Sequence, residues 1–299
     1  MEKYHIQANS VQETLVIPLY GRKLCSERFP ALFKDDKAVE LIDRLDYDFG
    51  DLEKRAQSTG YQFGALEVAM RQNDLSYEIK DYLTAHPQAA IVNLGCGLDQ
   101  TAENCQGEQN RVYNIDFPDV IKARNVLIPP SGLVTNIAAD LNDTSWFDSI
   151  DDTHGVVFVA AGVFYYFKTQ AVRKLFCAME KRFAGGRLCF DSAGKRAVKI
   201  MLKTWVKQAG VTSIKDYFAL SDAVKELSPW FESAKVTSKG YMLGYNDLKD
   251  PSVPASFRLL ARLGDGVMKM RIVKIDWESK RRAEDLGFEK SPNAKQTDA

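Results

Sequence analysis

Apolar residues along the chain fall into two textures that meet near residue 88. Before it the spacing is helical. In DLSYEIKDYL, Leu75, Ile79, Tyr82 and Leu83 share one face, and Asn73 stands where a cap would start that helix. Beyond it, short β-branched runs alternate with amphipathic stretches. AAIVNL (89–94), RVYNID (111–116), LVTNIAAD (133–140), GVVFVAAG (155–162) and RLCFD (187–191) read as strands. DVIKARNVL, closed by Pro129–Pro130, reads as a helix. So does Thr169–Phe183, where Val172, Leu175, Phe176, Met179 and Phe183 recur at helical spacing and Gly185–Gly186 stops the helix. Residues 195–230 read as helical again, and VMKMRIVKIDW (267–277) as an alternating strand at a sheet edge.

Continuous apolar strands separated by amphipathic helices are what a parallel sheet covered on both faces requires. The pattern predicts a doubly wound, mostly parallel α/β sheet over residues 87–277. A helical extension or lid over 1–86 precedes it, and a polar tail over 278–299 follows.

Composition narrows the function classes. With 299 residues the chain can bury the core of one large α/β domain. Lys and Arg total 40 against 40 for Asp and Glu, a balance that speaks against a nucleic-acid partner. The run Lys195, Arg196, Lys199, Lys203 and Lys207 has helical spacing, the pattern of a solvated face. Cys25, Cys96, Cys105, Cys177 and Cys189 form no CxxC pair, and the histidines are far apart, so neither a disulfide framework nor a metal site is expected. His154 reads as a loop residue. MEKYHIQANS lacks the apolar centre of a signal peptide. The longest apolar run, VVFVAAGVFYYF (156–167), falls short of the roughly 20 residues that cross a bilayer. A cytoplasmic protein with a small-molecule substrate and no membrane partner is the expectation.

The sharpest local chemistry is IVNLGCGLDQ (91–100), a strand that ends in Gly-Cys-Gly and opens into a helix. Gly95 and Gly97 let the backbone turn tightly and let a ligand approach where a Cβ would stand. Cys96 between them reads as a residue chosen for small size. Asp116 ends the next strand, where a carboxylate can accept from ribose hydroxyls. A dinucleotide site wants a third glycine, so that a pyrophosphate can sit on the helix N-terminus; Gln100 stands there instead. S-adenosylmethionine has no pyrophosphate, so the pattern favours it over NAD.

On these segments the chain resembles the leucine carboxyl methyltransferase family, and in particular its bacterial O-methyltransferase branch. The resemblance runs from about Ile17 to Trp277 and rests on an ordered set. IPLYGRKLCSERFPALFKDDKAVELIDRLDYDF (17–49), Arg71 ahead of NDLSYEIKDYL, VNLGCGLD (92–99), YNIDFPDVIKAR (113–124), IAADL (137–141) and AGVFYYF (161–167) follow at family-like spacing. It implies a Rossmann-like class I fold and S-adenosylmethionine-dependent methyl transfer to the carboxylate or hydroxyl of a small molecule.

Residue by residue, the resemblance implies that Arg71 pairs with the cofactor's methionine carboxylate. Gly95, Cys96 and Gly97 would line the turn beneath the cofactor, and Asp116 would hold the ribose. Phe117 would lie against the adenine, with Asp140 and Leu141 at its edge. Arg22 and Lys23 are candidates near a cofactor or substrate carboxylate. Tyr165 and Tyr166, after the fourth strand, are candidates for touching substrate or cofactor. The chain departs from the family at two places. Gln100–Thr101 replace a Thr-Arg, and Ala161 replaces a glutamate that sits near the cofactor's cationic end. Two rival readings stay open: a protein that keeps the fold and binds without catalysing, and an NAD-linked oxidoreductase.

Overall fold

The computed structural model describes residues 3–6, 13–201 and 217–278. The N-terminal part carries four helices, α1 (Glu13–Arg28), α2 (Asp36–Arg44), α3 (Gly50–Ala56) and α4 (Thr59–Ala85). Two short strands, β1 (Tyr4–His5) and β2 (Leu45–Asp46), pair in parallel beside them. Asp35 caps α2 by accepting the Ala38 N–H at 2.8 Å, and Ser58 caps α4 by accepting the Tyr61 N–H at 3.3 Å.

Asn73 is therefore not a cap. The helix begins well before it, because Leu66, Ala69 and Met70 carry the buried stripe of α4 through the preceding turns. Its amide instead donates to the Leu32 carbonyl at 2.9 Å and ties α4 to the α1–α2 connection.

The remaining strands are β3 (Ala90–Leu94), β4 (Val112–Asp116), β5 (Val134–Ala138), β6 (Val156–Ala160), β7 (Gly185–Ser192), β8 (Lys235–Gly240) and β9 (Arg271–Glu278). They form one sheet in the order β5-β4-β3-β6-β7-β9-β8, parallel from β5 to β7, with β9 antiparallel to both its neighbours. The helices between them are α5 (Thr101–Cys105), α6 (Pro118–Leu127), α7 (Thr169–Arg182), α8 (Lys195–Met201), α9 (Ala223–Leu227) and α10 (Ala255–Gly266).

Three expectations need correcting. VMKMRIVKIDW supplies β9, which lies inside the sheet; the edge is β8, KVTSKG, whose polar composition suits an exposed edge. Gly185–Gly186 opens β7 and is not the helix stop: a Cβ on Gly186 would stand 2.8 Å from the Trp277 ring and 2.9 Å from the Val156 carbonyl. Among the described residues of 195–230, only α8 and α9 are α-helical. Lys195, Arg196 and Lys199 sit on α8, while Lys203 and Lys207 lie outside the described residues.

One face of the sheet packs Leu94, Phe158, Phe190 and Ile275 against Phe176 and Met179 of α7. The other packs Ile91, Val157, Val159 and Cys189 against α4 and against Phe257 and Ala261 of α10. With only five residues, α5 is too short to cover that face, and α4 fills the space. A third cluster joins Val16, Leu19, Leu41 and Ile42 of the N-terminal helices to Leu98, Val120 and Leu127. The extension thus shares its core with the sheet.

α4 also carries acids inward. Glu78 is buried, accepts the Tyr245 hydroxyl at 2.6 Å and lies 3.3 Å from Lys274 Nζ. One turn before it, Asp74 is 1% exposed, and neither carboxylate oxygen accepts a hydrogen bond from the described residues. Burial first, then the charges of Asp265 and Glu78, push Asp74 up to about 9 against the pull of Lys239. The unfolded chain releases this proton near the ordinary aspartate range while the folded chain keeps it. Asp74 therefore makes stability fall as pH rises between that range and about 9. Asp74→Asn should be more stable than the parent chain in urea unfolding, with a gap that widens from about pH 5 to about pH 8. An equal gap at the two pH values would show that Asp74 is ionised in the fold.

Candidate functional site

The β3–α5 turn sits at the carboxyl edge of the sheet, where strand order reverses around β3. Gly95 (φ +64°) and Gly97 (φ +49°) are both left-handed. A Cβ on Gly95 would stand 2.6 Å from the Val163 side chain, so the β6 loop closes directly onto the turn. The N–H groups of Gly95 and Cys96 donate to the Ile115 carbonyl at 2.8 and 3.2 Å. Cys96 is buried, and burial pushes its thiol well above the ordinary range, as suits a packing residue.

Asp116 faces this turn from the end of β4. Its Oδ2 accepts the Gly97 N–H at 2.8 Å and its Oδ1 the Phe117 N–H at 2.8 Å. Burial raises its pKa, with those two N–H groups opposing. A carboxylate has about four lone-pair sites, so each oxygen can still accept from a ligand hydroxyl. Phe117 precedes α6 with its ring 45% exposed. Beside Asp116, the exposed Asp140 accepts from the Asn142 backbone and side-chain amides at 2.9 and 2.8 Å, and Leu141 is buried.

Two arginines hold the turn from behind. Arg124 of α6 is fully buried and donates to the carbonyls of Gly97 (2.8 Å) and Asp99 (2.7 Å) and to the Glu103 carboxylate. Arg22 of α1 donates to the Leu98 carbonyl and to Asp35 Oδ2, each at 2.9 Å. Consecutive carbonyls 97, 98 and 99 are thereby taken by guanidinium groups. Arg22 is 5% exposed, with Nε and Nη2 engaged by Asp35 and the turn. Lys23 pairs with Glu27 at 2.7 Å along α1. The sequence reading passed over Arg124, although its place in the apolar stripe of Val120, Ile121 and Leu127 is a signal for a buried guanidinium.

Arg71 lies over the end of β6. A Cβ on Gly162 (φ +73°) would stand 2.8 Å from Arg71 Nη1. That nitrogen donates to Asp191 Oδ2 at 2.9 Å, while Asp191 Oδ1 accepts the Gly162 N–H at 2.6 Å. Asp191, the penultimate residue of β7, was not singled out from the sequence; an acid at the carboxyl end of an apolar strand was the available signal. It puts a buried carboxylate beside half-buried Ala161, where the family's glutamate is missing.

Tyr165 is 5% exposed and packs into this group, and Tyr166 is 42% exposed. Burial, then the charges of Asp191 and Tyr241, push the Tyr165 hydroxyl far up against the pull of Arg71. Glu67, one turn before Arg71, is pushed up to about 8 by burial, with Arg71 opposing. His154 is exposed in the loop before β6. Asp140, Asp116, the glycine turn, Val163 and the Arg71–Asp191 pair thus follow one another along the sheet edge. That sequence of groups fits a nucleoside at one end and a zwitterionic amino-acid moiety at the other.

Removing Arg124 would leave the Glu103 carboxylate without its cation. Arg124→Met should cost roughly 3–5 kcal/mol in urea unfolding. Arg124→Lys should recover only part of it, because one ammonium lacks the planar fork that meets several oxygens at once. A loss under about 1 kcal/mol would mean that the turn holds itself.

Comparison with known proteins shows the family and the fold. The model of the leucine carboxyl methyltransferase family matches residues 17–180. The tetracenomycin polyketide synthesis O-methyltransferase TcmP of Streptomyces glaucescens is 26% identical over 188 residues, 62% of this chain and 67% of that one. The S-adenosyl-L-methionine-dependent methyltransferase DpfgK of Gibberella zeae is 23% identical over 208 residues, 65% of this chain and 70% of that one. Among solved structures, a DUF574 family protein from Streptomyces avermitilis superposes with a TM-score of 0.53 at 13% identity, over 77% of this chain and 92% of that one. A Thermobifida fusca protein assigned to the methyltransferases gives 0.52 at 14% identity, over 72% and 82%. At these identities the structural likeness speaks for the fold alone.

Proposed function

The chain belongs to the leucine carboxyl methyltransferase family of S-adenosylmethionine-dependent methyltransferases, and from that premise we propose that it methylates an oxygen of a small molecule, a carboxylate ahead of a hydroxyl. The observation that carries this reading is the run of groups from Asp116 to Asp191 along one sheet edge. Asp116 would accept from the ribose hydroxyls, and the exposed Phe117 ring would lie against the adenine. Asp140 and Leu141 would border it. Arg71 would meet the methionine carboxylate, with Asp191 beside it for the ammonium group. When bound, the cofactor supplies an electrophilic methyl group on a sulfonium centre.

What the chain's own residues do is hold, orient and exclude water. Tyr165 keeps its proton because it is buried beside Asp191, so it can donate a hydrogen bond but not act as a base. A hydroxyl acceptor would need a base near its own proton, whereas a carboxylate is already ionised. That favours a carboxylate acceptor, with the exposed Tyr166 available to orient it. The rival reading of a fold without catalysis draws on Ala161 and Gln100. Asp191 answers it in part by supplying a buried carboxylate at that place.

S-adenosylhomocysteine should raise the melting temperature, and NAD should not. Asp116→Ala should weaken S-adenosylhomocysteine by roughly 1.5–3 kcal/mol, about ten- to a hundredfold, in a calorimetric titration. Stabilisation by NAD alone, or unchanged affinity in a folded variant, would overturn the assignment.

A further inference from the structure

Where the carboxyl ends of β7 and β8 meet the amino end of β9 lies a cavity of about 320 Å³ that the glycine turn does not touch. Its polar lining comes from Ser192, Ser221, Asp222, Ser238, Lys269 and Arg271. Ser192 directly follows Asp191 in β7, and successive strand residues point to opposite faces. Asp191 meets Arg71 on the α4 side, while Ser192 turns to the other side and lines the cavity.

The lining is set up for an anion. Among the described residues, neither Lys269 nor Arg271 takes part in an ion pair, and the Arg271 side chain donates only to the Met270 carbonyl at 3.2 Å. Ser192 is 2% exposed, and its hydroxyl has no hydrogen-bond partner among the described residues. A buried hydroxyl left so costs roughly 1–3 kcal/mol unless a ligand satisfies it. The acid in the lining, Asp222, is directed elsewhere: its Oδ1 accepts the Lys225 N–H at 3.2 Å and its Oδ2 lies 3.4 Å from Lys225 Nζ.

The rim is closely packed at Gly194. Gly194 donates to the Met268 carbonyl at 2.8 Å, and a Cβ on Gly194 would stand 3.0 Å from that same oxygen. Lys269, held next to this contact, is left-handed (φ +56°), a conformation that an L side chain adopts at a cost. A fork of guanidinium donors, an ammonium and serine hydroxyls suit a planar oxyanion. The volume is at the lower end of small-molecule sites and exceeds what a lone ion fills.

We propose that this cavity binds the carboxylate of a small organic acid, through Arg271, Lys269 and the serine hydroxyls. This binding does not depend on the methyltransferase reading above. The test is a titration with succinate at constant ionic strength, followed by the backbone amide NMR signals of Ser192, Ser238 and Arg271. Succinamide and inorganic phosphate serve as separate arms.

Succinate should shift those signals saturably, succinamide should not, and phosphate should bind more weakly. Arg271→Gln should weaken succinate by about fivefold or more. Lys269→Gly, which relieves the left-handed lysine and so should fold at least as well as the parent, should also weaken it. S-adenosylhomocysteine affinity should stay unchanged in both variants. No saturable shift, or succinate affinity indifferent to both substitutions, would overturn the site. Phosphate binding as tightly as succinate would overturn its assignment to carboxylates. Loss of S-adenosylhomocysteine binding by the parent chain itself would instead strike the methyltransferase reading and leave the succinate result standing.

Discussion

Arg71 on α4 and Asp191 at the end of β7 meet at 2.9 Å, with 14% and 2% of their side chains exposed. Charges buried to that depth lose most of their hydration, and separating them costs roughly 3–5 kcal/mol because the remaining one is left uncompensated. Such a pair adds little net stability over an apolar contact, but it restricts position. It holds the middle of α4 over Gly162, and the Gly162 N–H in turn fixes the carboxylate. The loop carrying Ala161, Val163, Tyr165 and Tyr166 is therefore set by a residue on the neighbouring strand and another from the N-terminal extension.

The glycine turn depends on a similar device. Left-handed glycines make the tight turn feasible. Arg124 and Arg22 take its carbonyls, so the turn is held from α6 and from α1 together. Any ligand that meets Asp116 and the turn meets groups already in place, and preorganised groups do not pay their ordering entropy on binding.

The parallel strands were legible because burial on both faces demands unbroken apolar runs, as in AAIVNL and GVVFVAAG. β8 escaped notice because an edge strand such as KVTSKG has no such demand. Asn73 and the Gly185–Gly186 pair misled for one reason: residues favoured at caps also serve in helix-to-loop contacts and in close strand packing. At the site, Gly95, Gly97 and Asp116 were legible since their spacing follows from one strand–turn–helix–strand unit. Asp191 and Arg124 were not, because their partners lie 120 and 21 to 27 residues away in the chain. That Arg22 also holds the turn was not legible, since a charge in a helix does not declare which surface it faces.

The central claim is that the Arg71–Asp191 pair receives the amino-acid end of the cofactor. The most direct measurement titrates S-adenosylhomocysteine and 5′-methylthioadenosine, which lacks the amino-acid end, into the parent chain and into Arg71→Gln/Asp191→Asn, a double variant with no orphaned charge. The variant should bind S-adenosylhomocysteine about ten- to a hundredfold more weakly, as expected for lost charge-assisted hydrogen bonds. Its affinity for methylthioadenosine should be unchanged. Equal losses for both ligands, or no loss for either, would contradict the claim.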